Sequence, residues 1–357
     1  MNNRKKRMGM LATALVFGFT VMGCGAFTDT RKISNYLSLA ERVGRSEEGP
    51  VPLAVKVSLD DNWGNLLGVI NSAGVLVNLD LSGSTMTSTE FNPGSSGSRY
   101  IASLVLPDAV TNIAGDFNVF PNLASISFPA SVDIGEVNPF VGCSLIAFNV
   151  RGSGDLGTIE NGRALVRSGE LVSYPSAKGS ITLNGVTAIG RSAFNSTDLE
   201  SISLPAVTTV GVRAFRGCKN LETVNLPAAT TIGDEAFYGN TGLQTLNVPA
   251  VVTIGNNAAA NTGGTVLAIT LGQQLEAIGT GMFTEVGERK NVTLRVPQSE
   301  VETITARQNA IRGRGWKEGA FMLAAQSSRV VSTGWWGSET VWANNFNGNI
   351  TITVEGY

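Results

Sequence analysis

Histidine does not occur anywhere in the 357 residues. That absence excludes His-containing catalytic triads, His-ligated metal centres and imidazole acid–base chemistry. There is no Walker A, G-x-S-x-G or C-x-x-C stretch, and only 15% of residues are charged. The one basic run lies within the first ten residues, which argues against a nucleic-acid partner. What could carry chemistry has a plainer reading. Gly152-Ser153-Gly154-Asp155-Leu156-Gly157 matches G-x-G-x-x-G, but Thr158-Ile159-Glu160-Asn161-Gly162 follows it and is no helix start, so a loop is expected. The acidic pairs Glu47-Glu48, Asp60-Asp61 and Asp234-Glu235 read as a solvated tether, a helix cap and the outer surface of a coil. The expectation is no enzyme, no metal and no cofactor.

What the chain has in abundance is glycine, 42 residues, and a repeat. Ile202-Ser203-Leu204-Pro205, Val224-Asn225-Leu226-Pro227 and Leu246-Asn247-Val248-Pro249 recur every 22 residues. They are followed by Val210-Gly211 and Ala214-Phe215, Ile232-Gly233 and Ala236-Phe237, and Ile254-Gly255 and Ala258-Ala259. Further copies begin at Leu104, Ile126, Ile181, Ile269 and Leu294, giving roughly eight rungs. A period of this length predicts a stack of coils in which each repeat contacts its neighbours. Within a unit, I-x-L alternation is that of a strand, with the intervening residue on the opposite face. Proline ends the strand because it cannot donate to a ladder. The glycine after Ile or Val suits a bend with positive φ. Phe140, Phe194, Phe215, Phe237 and Phe283 are expected to form a stacked column, with Ala259 a gap in it.

The combination L-x-x-I-x-L-P, V-x-x-I-G and Ala-Phe, as at Leu199 to Phe215 and Leu221 to Phe237, resembles the BspA-like, Treponema-type leucine-rich repeat over about residues 101–297. The flanks at Val51 to Leu81, Asn309 to Trp316 and Asn349 to Glu355 resemble the opening and closing segments of spirochaete members. The resemblance implies a fold that is α/β leaning to β: a right-handed leucine-rich-repeat solenoid with a parallel β-sheet, an N-terminal β-α-β cap and a C-terminal cap. It also implies adhesion to host or neighbouring-cell components.

Residues 1–23 carry an address. Arg4, Lys5, Lys6 and Arg7 precede an apolar stretch of 16 residues, Met8 to Gly23. That is short for a spanning helix and has the layout of a secretion signal. Val21-Met22-Gly23-Cys24 resembles a bacterial lipobox, which makes Cys24 the expected lipidation site. The alternative is an ordinary cleaved signal peptide and a free thiol. A single acyl chain binds marginally, and the resemblance implies that further chains are added at Cys24. Loss of residues 1–23 removes four Lys/Arg and no Asp/Glu, moving the formal charge from −2 to −6. The expected location is membrane-anchored, at the outer membrane or cell surface in preference to the periplasm-facing inner membrane.

The remaining organisation follows by segment. Residues 24–50 read as a tether with a short amphipathic helix from Ile33 to Val43. Residues 51–100 read as strand, helix, strand and a Gly/Ser/Thr-rich loop. Leu53, Val55, Val57 and Leu59 alternate as a strand, Asp60 to Asn62 offer helix caps, and Gly74 ends the helix. The spacing breaks near 150–179, where a β-hairpin turning at Ser168-Gly169 is expected to project from the stack. Residues 298–357 read as a cap, with a helix over Glu300 to Arg312, a strand at Ile350 to Val354, and Trp335, Trp336 and Trp342 either packed in it or forming a contact patch. Cys143 and Cys218 occupy the same point of different coils, three or four rungs apart. At about 4.8 Å per rung that is roughly 14–19 Å, beyond the ~7 Å a disulfide spans. Two free, buried thiols are expected.

One face remains for binding. Ser125, Ser127, Ser201, Ser203, Thr223, Asn225, Thr245, Asn247 and Thr270 flank the inward residues and form columns of small, uncharged hydrogen-bonding groups. They either pack well side by side or form a docking surface; the candidate ligand-binding residues are Ser201, Ser203, Thr223, Asn225, Thr245, Asn247 and Thr270. The expected partner is a host or bacterial surface protein or glycan. The alternative is a structural or antigenic envelope protein that associates with itself or with other envelope proteins.

Overall fold

The computed structural model describes residues 27–42, 49–262, 266–271, 277–278, 290–296, 328–331, 339–343 and 350–356. The signal segment, Cys24, the pair Glu47-Glu48, Phe283, the helix expected over Glu300 to Arg312, and Trp335-Trp336 lie outside the described residues. The chain forms two compact units, the first from residues up to 135 together with 143–155, the second from 136–142 together with 156 onward. Among the described residues no helix is long and apolar enough to cross a membrane.

Unit 1 opens with helix α1, Thr30–Arg42. Its buried residues Ile33, Tyr36, Leu37 and Ala40 fall at the spacing of one helix face. Asp29 accepts the Arg31 N–H at 2.7 Å, and Arg42 stands in the last turn, where a cation complements the helix dipole. The Tyr36 hydroxyl donates to the Pro52 carbonyl at 2.9 Å, and Phe27 pairs in parallel with Val55. Residues 27–42, placed in a tether by sequence, are thus folded onto the unit.

A β-α-β unit follows. Strands Val51–Ala54 and Val77–Asp80 pair in parallel across helix α2, Leu59–Ala73. Leu59 begins the helix rather than ending a strand, and Ser58 occupies the N-cap position without a side-chain cap bond. Asp60 and Asp61 lie inside the first turn, so they are not caps. Asp60 instead accepts the Thr87 N–H at 2.8 Å, and the Thr87 hydrogen bonds hold its carboxyl below the ordinary value. Gly74, at φ 66°, closes the helix by donating to the Ile70 carbonyl. Strands Ile101–Val105, Ser125–Pro129 and Ala147–Arg151 extend the sheet in parallel.

Unit 2 carries the regular coils. Its front sheet runs Lys178–Thr182, Asp198–Ser203, Thr223–Asn225, Thr245–Val248, Val266–Leu271, Lys290–Val296 and Ile350–Gly356, all parallel. Glu339–Ala343 and Ser328–Val331 then add antiparallel strands. A second sheet is built from two-residue strands, Ala188–Ile189, Thr209–Val210, Thr231–Ile232, Thr253–Ile254 and Ala277–Ile278. The segment that breaks the period supplies the other end of this second sheet. Leu156–Ile159, Ala164–Arg167 and Glu170–Ser173 form an antiparallel meander, and Glu170–Ser173 pairs in parallel with Ala188–Ile189. The hairpin therefore continues a sheet rather than projecting from the stack.

Between the sheets lies an apolar core that includes Ile202, Val224, Leu246 and Ile269 from the front strands. Phe194, Phe215 and Phe237 stack almost parallel, with centroids 5.0 Å apart at 9° and then 5.3 Å apart at 6°. Each ring is fully buried, worth about 1.5–3 kcal/mol of transfer free energy. The next ring beyond Phe194 is Tyr174, at 5.9 Å and 35°. Phe140 is also fully buried, and Ala259 is buried where a Phe would continue the motif.

The repeated glycine has a different role from the one expected. Gly190, Gly211, Gly233 and Gly255 do not have positive φ; that conformation falls two residues later, at Ser192, Arg213, Glu235 and Asn257, with φ of 52–59°. A Cβ on Gly211 would lie 2.8 Å from the Ile189 carbonyl oxygen, and one on Gly233 2.7 Å from the Val212 nitrogen. Gly is required because the neighbouring coil's backbone passes too close for a side chain.

Candidate functional site: the outer face of the front sheet

The parallel register places the candidate residues in two rows across the front sheet of unit 2. Ser180, Ser201, Thr223, Thr245 and Ala268 stand in one, Thr182, Ser203, Asn225, Asn247 and Thr270 in the other. Between the rows, Ile181, Ile202, Val224, Leu246 and Ile269 are in mutual register. Ile202, Val224, Leu246 and Ile269 are buried, and strand alternation sends their neighbours outward. Ser201, Ser203, Asn225, Thr245, Asn247 and Thr270 are half-buried, and Thr223 is exposed. All seven predicted residues are thus brought onto one face.

The rows are tied laterally. Asn247 Nδ2 donates to Asn225 Oδ1 at 2.6 Å, and Asn225 Nδ2 donates to Ser203 Oγ at 3.1 Å. Ser201 Oγ donates to Ser180 Oγ at 2.8 Å. A primary amide has two N–H groups and two acceptor lone pairs, so the ladder orients the Asn225 side chain while using one donor and one acceptor. What remains is an uncharged surface with donors and acceptors already fixed in direction.

Sequence reasoning missed Ser180 and Thr182. The period is broken just before them and the strand register slips between Gly179 and Ser180; aligning Ile181-Thr182-Leu183 with Ile202-Ser203-Leu204 would have found them. In unit 1, Ser125 is half-buried but Ser127 is 5% exposed, with its hydroxyl partnerless. Ser127 therefore does not belong to an accessible face; Val105 and Asn149 flank it in register. At the far end of the Asn row, the strand register continues from Thr270 to Arg295 and from Arg295 to Glu355.

The turns behind the Phe column hold the other polar features. Glu235 takes a forked pair of bonds from Arg213, both 3.1 Å, and a third from Arg216 at 2.7 Å. The Arg213 hydrogen bonds hold the Glu235 carboxyl below its ordinary value. The Arg216 guanidinium also lies 4.9 Å from the Tyr238 ring centre. Asp234 accepts the Asn256 N–H at 2.7 Å, linking the next coil. Both acids serve coil-to-coil contacts.

Cys143 and Cys218 are free and buried. Cys218 Sγ donates to the Phe194 carbonyl at 2.9 Å, and its N–H donates to Asn240 Oδ1 at 2.8 Å. Thr197 Oγ1 likewise donates to the Phe194 carbonyl at 2.9 Å. These residues face turn backbone, as their position in the repeat implied. Burial pushes the Cys143 thiol up to about 12 and raises that of Cys218, so neither is a ready thiolate. Gly152 to Asp155 joins two strands, and Leu156 and Gly157 begin the second of them, with no helix after it. Among the described residues no group of three or more Cys, Asp or Glu could hold a metal ion.

Residues 180–308 match the family described as the BspA type leucine-rich repeat region, in six copies. No curated protein matches the chain. Among solved structures, the pneumococcal vaccine antigen PcpA is 16% identical, with 75% of this chain and 78% of that one covered and a TM-score of 0.45. A leucine-rich cell surface protein from Faecalibacterium prausnitzii A2-165 is 17% identical, covering 64% and 74%, with a TM-score of 0.39. A leucine-rich repeat protein from Bacteroides ovatus ATCC 8483 is 20% identical, covering 56% of each chain, with a TM-score of 0.29.

Proposed function

We propose that this protein, whose residues 180–308 are a BspA-type leucine-rich repeat region, is an exported, lipid-anchored surface or envelope protein that binds a protein or glycan in an adhesin-like manner and has no enzymatic activity. The observation that carries the reading is the front face of unit 2. Seven small, uncharged side chains are held there in two rows, and the Asn247–Asn225–Ser203 ladder orients part of one row in advance. Fixing donors and acceptors before contact lowers the ordering cost of binding, and sheet faces of solenoids commonly serve as extended binding surfaces. Anchoring at Cys24 rests on the basic segment, the apolar stretch and the lipobox-like Val21 to Cys24.

Two experiments test it. Protease shaving of intact cells, against a periplasmic control, should cleave the protein; an untouched chain removes the surface reading. Replacing Ser203, Asn225 and Asn247 together with Lys should abolish retention of the partner captured from cells or host matrix while circular dichroism shows the coils still folded, at a melting temperature lowered by the lost ladder and the like charges in register. Unchanged capture would show that binding does not use this face.

A further inference from the structure

We infer that unit 1 carries a second, separate binding site: a cleft for a small acidic saccharide, one bearing a carboxylate on a hydroxyl-rich ring. The site is independent of the front face of unit 2. It lies where the Gly/Ser-rich segment Asn92 to Arg99 passes helix α2. The cleft is about 480 Å³, open to solvent along most of its length, and is lined by Asn71, Ser95, Arg99, Tyr100, Val119 and Pro121, among others.

A segment of this composition has little reason to hold one shape, yet three distant side chains pin its backbone carbonyls. Trp63 Nε1 donates to Pro93 at 3.1 Å, Asn71 Nδ2 to Gly97 at 3.2 Å, and Asn122 Nδ2 to Arg99 at 2.7 Å. Ser98 Oγ, buried, accepts the Tyr100 N–H at 3.1 Å. Gly97 is pressed against the 119–120 backbone so closely that a Cβ there would overlap the Val119 carbonyl. The loop is thus held in place before any ligand arrives.

The lining divides by chemistry. Arg99 is exposed and has no carboxylate partner among the described residues. Its planar fork is suited to a carboxylate. Asn71 spends an N–H on Gly97 and keeps its side-chain oxygen as an acceptor for a hydroxyl, and Ser95 adds an exposed hydroxyl. Tyr100, Val119 and Pro121 supply apolar surface, which a bare inorganic anion cannot use and the C–H edge of a sugar ring can. One cation, two hydroxyl partners and an apolar wall together fit an acidic sugar.

The test is titration of the full-length protein with glucuronate, glucose, acetate and inorganic phosphate, read by calorimetry and by saturation transfer to the sugar. Glucuronate should bind saturably, and the other three much more weakly. Arg99→Gln should weaken glucuronate by about 10- to 100-fold, the loss expected for a charge-assisted hydrogen bond, without moving the melting temperature. Arg99→Lys should fall between the two. The inference is overturned if glucose binds as well as glucuronate, because charge is then not read. It is equally overturned if acetate or phosphate matches glucuronate, if glucuronate does not saturate, or if Arg99→Gln binds like the parent.

Discussion

The aromatic rings of the two units pack by different rules. In unit 1, Trp63, Phe91, Phe117 and Phe120 meet mostly edge to face, at 5.5–6.3 Å and, for three of the four contacts, 62–77°. In unit 2, Phe194, Phe215 and Phe237 are parallel within 9°. Edge-to-face contact suits the ring quadrupole when the surrounding chain allows it. Unit 1 allows it because its rings come from a helix, a short strand and a 3₁₀ turn, which are not copies of one another. Unit 2 repeats one backbone every 21 or 22 residues across Phe194, Phe215 and Phe237, so one rotamer is translated along the stack. Repetition, rather than ring preference, sets the orientation.

The largest expected effect that would break this comparison is Phe215→Ala. The ring has a neighbour on both sides, so its loss should destabilise unit 2 by about 3–5 kcal/mol. Hydrogen exchange should accelerate in the adjoining coils and stay unchanged in unit 1, because each coil is stabilised by its neighbours. Uniform acceleration through both units would mean that they unfold as one.

Glycine gives a sharper contrast. Gly233→Ala places a Cβ against the Val212 and Gly211 backbone and should cost about 1–3 kcal/mol. Gly68→Ala, in helix α2 of unit 1 with no atom within 4 Å of the new Cβ, should stabilise by about 0.5–1 kcal/mol. Thermal melts should therefore move in opposite directions, and a shared sign would refute the close-approach explanation.

The smallest effect concerns Glu235. Its folded carboxyl value is depressed, so its contribution is present above the unfolded value of about 4.3 and is lost as pH falls through the folded value. The partners Arg213 and Arg216 are 44% and 38% exposed, and solvent screening limits the effect to about 0.5–1 kcal/mol. Glu235→Gln should lower stability by that amount at neutral pH and flatten the acid-side decline in a pH series of denaturant melts. A decline equal to the parent's would assign it to other carboxylates.

Much of the fold was legible because the repeat states each position several times. Ile202, Val224 and Leu246 alternate with Ser203, Asn225 and Asn247 in the same way in every copy, so strand direction, register and the outward rows follow. Cys218 could be read as a buried thiol facing backbone because Thr197 and Asn240 hold the same place. Unit 1 was less legible. Its β-α-β segment is not a copy of any coil, so nothing averaged out the ambiguity at Leu59, where alternation predicts a strand and the chain begins a helix. Tyr174 escaped notice because it lies in Tyr-Pro-Ser-Ala rather than Ala-Phe, yet it stands against Phe194.

The sequence by itself determined the coil period, the inward and outward alternation, and the uncharged character of the front face. These are properties of spacing and residue type, and neighbouring coils only copy them. Tertiary structure decided what depends on distance between coils or segments. It assigned the repeated glycine to close approach rather than to positive φ, because only the neighbouring backbone shows that a Cβ has no room. It joined Asn247, Asn225 and Ser203 into a ladder, turned the irregular 156–173 segment into the end of a sheet, and set Asn71, Trp63 and Asn122 to hold a loop that composition alone leaves undefined.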